Sequence, residues 1–221
     1  TGTLNMSSGL IEFVPVVPST TNYGGLAIGR GGGVQGTFDQ TGGTVRMRGI
    51  NAFDLGTQGG NGSYTLSNNA VFDSSEGGLT LYVGSRPASG GQRSTGTLTI
   101  KDSAQFIATA GSSTSGQIYV GDAGATGTIH QTGAGSVVSL GMSNPIVFGS
   151  NLSNNPQGGG TGTYRLEAGT LNVVSNGSGQ MIFGGAAGGT GALQIAGGTA
   201  NIARTLTVAS AAGSTGVIDQ S

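Results

Sequence analysis

One short pattern constrains what this chain can fold into: a glycine, a small residue, an apolar residue, a polar residue, then an apolar residue or glutamine. It occurs as Gly2-Thr3-Leu4-Asn5-Met6, Gly36-Thr37-Phe38-Asp39-Gln40, Gly62-Ser63-Tyr64-Thr65-Leu66 and Gly96-Thr97-Leu98-Thr99-Ile100. It returns as Gly127-Thr128-Ile129-His130-Gln131, Gly162-Thr163-Tyr164-Arg165-Leu166, Gly191-Ala192-Leu193-Gln194-Ile195 and Gly216-Val217-Ile218-Asp219-Gln220. The leading glycines enclose 214 residues in seven intervals of 25 to 35, a mean of about 31. Recurrence at that period is the mark of a solenoid, in which packed strands keep their length and the loops between them vary.

Each period holds two further strand-like pieces. The second reads Gly43-Thr44-Val45-Arg46-Met47, Gly169-Thr170-Leu171-Asn172-Val173 or Gly198-Thr199-Ala200-Asn201-Ile202, with looser versions around Val71-Phe72, Gln105-Phe106-Ile107 and Val137-Val138. The third ends in glycine, as in Leu26-Ala27-Ile28-Gly29, Leu81-Tyr82-Val83-Gly84 and Met181-Ile182-Phe183-Gly184, or in alanine in its last copy, Leu206-Thr207-Val208-Ala209. Apolar and polar residues alternate in the first two pieces, the two-residue period of a strand with one face inward. No single coil of three strands buries its apolar face alone, so the coils must stack. The expectation is an all-β, right-handed parallel β-helix of about seven coils of three short strands, one domain over residues 1–221 with a core roughly 34 Å long. Its inward columns are Leu4, Phe38, Tyr64, Leu98, Ile129, Tyr164, Leu193, Ile218 and Met6, Gln40, Leu66, Ile100, Gln131, Leu166, Ile195, Gln220. The three glutamines in an apolar column are expected to bond corner backbone groups that would otherwise be buried unpaired.

Composition narrows the function classes. The 47 Gly and 5 Pro, roughly a quarter of the chain, sit where disorder is the default reading. The repeat assigns these glycines to corners, where positive φ is needed. Charged residues make up 8% and the net charge is -1, so no basic stripe exists for nucleic acid. There is no cysteine for a disulfide framework or thiolate metal site, and no apolar run of the roughly 20 residues a membrane span needs. The chain opens and closes on repeat motifs, which points to a fragment of a longer protein.

The segments from Gly36 to Met47 and from Gly162 to Val173 resemble the repeats of bacterial autotransporter passenger domains. They are equally similar to strand-repeat surface proteins that often carry a PEP-CTERM sorting tail. The resemblance covers nearly the whole chain and implies export, a β-helix and a role at the cell surface or in extracellular matrix.

Passenger-like proteins can be hydrolases, so catalytic patterns need testing. The only histidine, His130, occupies an outward position between Ile129 and Gln131 and reads as a solvated surface residue. No Gly-x-Ser-x-Gly elbow stands in a strand-to-helix context. A polysaccharide lyase or glycosidase, the rival reading, needs carboxylates converging on one cleft. Most of the nine acids (Glu12, Asp39, Asp54, Asp73, Glu76, Asp102, Asp122, Glu167 and Asp219) fall in different coils and phases, with Asp73 and Glu76 read as a solvated turn pair. The glycine-rich turns lack the regular aspartates of calcium-binding repeats, and Gly29 to Gly33 and Gly158 to Gly160 lack the lysine and helix of a phosphate loop.

The outward column Thr3, Thr37, Ser63, Thr97, Thr128, Thr163 invites an ice-binding reading. Two residues along stand Asn5, Asp39, Thr65, Thr99, His130 and Arg165, so a paired threonine face is not expected, and cross-strand hydroxyl bonding or β-branched packing suffices to explain the column. The resulting expectation is a non-enzymatic structural or adhesive surface rod without cofactor or metal. Partner contacts with a host or matrix surface or a glycan are expected on loops 15–25, 85–95 and 150–161, and self-association through the coil ends.

Overall fold

The computed structural model describes residues 1–14, 25–49, 51–85, 91–109, 116–151, 158–174 and 179–221. The chain winds in coils of three strands. The first coil is β1 (Gly2–Met6), β2 (Leu10–Phe13) and β3 (Gly25–Arg30); the second is β4 (Gln35–Gln40), β5 (Thr44–Met47) and β6 (Asn51–Thr57). Next come β7 (Asn61–Leu66), β8 (Val71–Asp73) and β9 (Leu79–Ser85), then β10 (Thr95–Ile100), β11 (Gln105–Thr109) and β12 (Gln117–Asp122). The fifth and sixth coils are β13 (Thr126–Gln131), β14 (Val137–Gly141), β15 (Ile146–Ser150) and β16 (Thr161–Leu166), β17 (Thr170–Val173), β18 (Met181–Phe183). The seventh is β19 (Thr190–Ile195), β20 (Thr199–Ile202) and β21 (Leu206–Val208), and β22 (Thr215–Gln220) adds one more first strand. Every strand pairs in parallel with its equivalent one coil away, giving sheets of eight, seven and seven strands. The chain is a parallel β-solenoid.

The register is the one the repeat predicts. Tyr64, Leu98, Ile129, Tyr164 and Leu193 lie rung on rung in the first sheet, with Leu66, Ile100, Gln131, Leu166 and Ile195 beside them. Val45, Phe72, Phe106, Val138 and Leu171 form the matching column of the second sheet, and Leu55 and Val83, then Val120, Phe148 and Phe183, that of the third. These side chains make one continuous core, each fully buried leucine or isoleucine contributing about 1.5–3 kcal/mol. Strand spacing also sets the ring geometry. Phe38 and Tyr64, Phe72 and Phe106, and Phe148 and Phe183 stack nearly flat with centroids 4.7, 4.6 and 4.7 Å apart, one rung of the sheet.

Two details go beyond the repeat as read from sequence. Seven of the eight strands of the first sheet begin one residue before the motif glycine, at Gln35, Asn61, Thr95, Thr126, Thr161, Thr190 and Thr215, so an additional outward column exists. The glycines that end the third strands meet those that begin the first. Gly84 (φ +63) lies so close to Gly96 that a Cβ on Gly96 would sit 2.2 Å from the Gly84 amide nitrogen, and a Cβ on Gly127 would be 2.4 Å from that of Gly121. The seam needs glycine for close backbone approach as well as for φ.

Candidate functional site

Of the three column glutamines, Gln131 and Gln40 are structural, whereas Gln220 on the last rung is exposed. Gln131 is fully buried; its amide donates to the Ser136 and Thr170 carbonyls at 3.2 and 3.1 Å and to Ser136 Oγ at 3.0 Å. Gln40 does the same for the Gly43 and Val71 carbonyls at 2.9 and 3.1 Å. The sequence expectation did not include a further partner: the amide oxygen accepts from a tyrosine one coil on, Tyr64 for Gln40 and Tyr164, at 2.7 Å, for Gln131. Burial pushes both phenols well above the usual tyrosine range.

On the outer face of the second sheet, the solvated turn pair of the sequence reading proves to belong to a ladder. Register places Arg46 between Glu12 and Asp73 on three successive strands. Arg46 lies 3.8 Å from Glu12 and 3.6 Å from Asp73; Arg48 reaches Glu12 at 2.8 Å and Glu76 at 2.9 Å. Asp73 also accepts from the amide and hydroxyl of Ser75. The hydrogen bond and charge of Glu12 raise the Arg48 pKa. Three of the nine acids thus gather with two arginines, although their carboxylates are already engaged by those guanidinium groups.

The third sheet differs from the other two because large apolar and aromatic residues stand on the outward face of its middle strands. Its outward column runs Asp54, Tyr82, Tyr119, Val147, Ile182, with Tyr82 and Tyr119 stacked at 5.6 Å and both buried. Tyr119 donates to Gln117 at 2.8 Å, and burial, then Tyr82 and Asp122, push its pKa up to about 12. Asp122 is fully buried at the corner where a run of polar side chains replaces the core: Ser85 donates to it at 2.9 Å and Ser150 at 2.5 Å. Ser85, Ser94 and Ser150 belong to the segments expected to contact partners, yet they face inward. Residues 15–24, 86–90 and 152–157, most of those three loops, lie outside the described residues. Near the far end Arg204, its pKa lowered by burial, donates to the carbonyls of Val174, Asn144 and Met142 and clips coils together.

On the first sheet His130 does face outward, but it has company. Its Nε2 lies 3.2 Å from Glu167, which also holds Arg165 at 2.7 Å. The sheet's added outward column corrects the reading that no paired threonine face exists. Thr95, Thr126, Thr161, Thr190 and Thr215 stand in register, and on three coils each is followed two residues on by Thr97, Thr128 or Thr163. Among the described residues, no protein group hydrogen-bonds the hydroxyls of these paired threonines, so cross-strand hydroxyl bonding does not explain the column.

Among the described residues, no three His, Asp or Glu side chains are grouped to hold a metal, and no helix is long and apolar enough to cross a membrane. Fold and faces together define a β-solenoid repeat protein. No protein family, curated protein or solved structure matches the chain.

Proposed function

We propose that the chain is a structural or adhesive repeat module of an extracellular or bacterial cell-surface protein, working as a stiff, charge-poor, protease-resistant rod. The observation that carries this reading is the rung-for-rung register of all three sheets, which makes the inward columns and corner glycines, and with them the length of the stack, the features that recur from coil to coil. The resemblance of Gly36 to Met47 and Gly162 to Val173 to passenger-type repeats supports export. Loops 15–25, 85–95 and 150–161 are the proposed contacts with host or matrix polymers. Leu4, Leu10, Val217 and Ile218 are exposed on the outermost rungs, where strand edges favour end-to-end pairing with a second copy into a filament.

A second reading, a polysaccharide-processing lyase or glycosidase, is favoured by one observation: Glu12, Asp73 and Glu76 gathered with Arg46 and Arg48 on three adjacent coils. One experiment separates the two. The purified chain is incubated with acidic and neutral polysaccharides while retention and product are followed together. The rod reading expects retention on a polymer without new chain ends; release of reducing ends or unsaturated uronates, lost in the Glu12→Gln variant, overturns it. Electron microscopy across a concentration series tests the filament, and single short particles throughout would remove it.

A further inference from the structure

The geometry points to the first sheet's paired-threonine face as a surface that binds ordered water, an ice crystal face being its occupant. Thr95/Thr97, Thr126/Thr128 and Thr161/Thr163 form a two-column array without register shift. Strand geometry sets its lattice at about 4.8 Å between rungs and about 6.6 Å between columns, repeats of the same order as the oxygen spacings on a prism face of hexagonal ice. Thr190 and Thr215 carry one column two rungs further.

Three observations select water over other occupants. The hydroxyls have no protein partner among the described residues, so their donors and acceptors face outward unspent. β-branching restricts χ1, so each hydroxyl holds its place in the lattice. The array carries neither charge nor ring, and in the next column Arg165 and His130 are both taken up by Glu167, whereas nucleic acid or an anionic membrane would need available cations and a sugar surface is ordinarily met by aromatic platforms. Immobilising one isolated water costs up to about 2 kcal/mol. A lattice whose waters are already ordered avoids that cost at every rung, so affinity grows with the number of coils in register.

The test is uptake of the fluorescently labelled chain into a slowly grown ice hemisphere, with thermal melts confirming that each variant is folded. The wild-type chain is expected in the ice. Thr128→Tyr, at the centre of the array, should reduce uptake about tenfold, Thr128→Val should reduce it less, and Ser139→Tyr on the second sheet's outer face should leave it unchanged. Exclusion of the wild-type chain to the level of an inert protein overturns the inference, and so does equal uptake of wild type and Thr128→Tyr. Retention on crystalline cellulose together with exclusion from ice assigns the face to a polysaccharide and also overturns it.

Discussion

Gln131 shows how a polar side chain survives in a dry column. Its one amide serves two carbonyls and a hydroxyl, and its oxygen takes the phenol of Tyr164, so both ends of the buried amide and the buried phenol are satisfied. Removing one side of such an arrangement leaves the other desolvated, at about 1–3 kcal/mol per group. Tyr164→Phe should therefore cost about 1–3 kcal/mol and Gln131→Leu more, read as a lower urea midpoint at unchanged slope. The buried phenols also make stability pH-dependent. Tyr64 and Tyr164 have folded-state pKa values above the unfolded value near 10, so their contribution is complete below that pH. It is lost as pH rises past 10, because only the unfolded chain then releases the protons. Urea titrations on either side of pH 10 should show falling stability at the alkaline end, and Tyr164→Phe should make the fall shallower; a flat profile would refute the assignment. The glutamines' bond to corner carbonyls was legible in sequence because an amide in an apolar column has few other uses. The tyrosine partner had a signal as well: a glutamine closing one motif is followed by a tyrosine at the third position of the next, Gln40 by Tyr64 and Gln131 by Tyr164. That relation becomes physical only when the copies are laid on adjacent rungs.

At the scale of the strand and its corner, the glycine seam decides whether a coil closes. A Cβ on Gly127 would fall 2.0 Å from the Val83 carbonyl oxygen, backbone that cannot swing aside as a side chain would. Gly127→Ala should destabilise by about 3 kcal/mol or abolish folding. Gly2→Ala occupies the same motif position with nothing within 4 Å, and should change the thermal midpoint little. Similar losses from both variants would refute the seam. Ala209 shows the conformational half of the requirement, since it adopts φ 57 where six other coils have glycine. The motif itself gave away the inward columns, since strand alternation leaves one choice of face. Other contacts stayed hidden because loops of unequal length obscure which residues share a rung. Ser85 and Ser150 stand 37 and 28 residues from Asp122, yet all three meet at one corner. Likewise Arg46 meets Glu12 and Asp73 through register alone. The outward threonine column lies outside the repeat motif for a simpler reason: the motif begins at glycine, whereas the strand begins one residue earlier.

Across the whole molecule, each coil touches chiefly its two neighbours, so stability is close to a sum of coil and interface contributions and the rod should accept removal of a complete coil. Thr95 and Thr126 are register partners, so deleting residues 96–126 joins Thr95 to Gly127 and restores a Thr-Gly-Thr motif at the junction. In the shortened chain Tyr64 would lie on Ile129, Leu66 on Gln131, Phe72 on Val138 and Val83 on Phe148, apolar on apolar except at Gln131, which keeps its own corner and Tyr164. Asp122 leaves with the deleted coil, and Ser85 and Ser150 then face each other as hydroxyls able to bond directly. The variant should fold with one cooperative urea transition whose slope is lower by about one-seventh, in proportion to the surface buried. Deleting residues 96–109 instead removes β10 and β11 but leaves β12 to follow β9, placing a third-sheet strand where a first-sheet strand belongs. Its outward Tyr119, buried on the third sheet, would stand where the first sheet carries solvent-facing residues, so this shorter deletion should leave a chain that is readily proteolysed and shows no cooperative transition. Removing more residues would thus harm the fold less than removing fewer; equal tolerance of both deletions would mean that rung-for-rung stacking is not what holds the rod together.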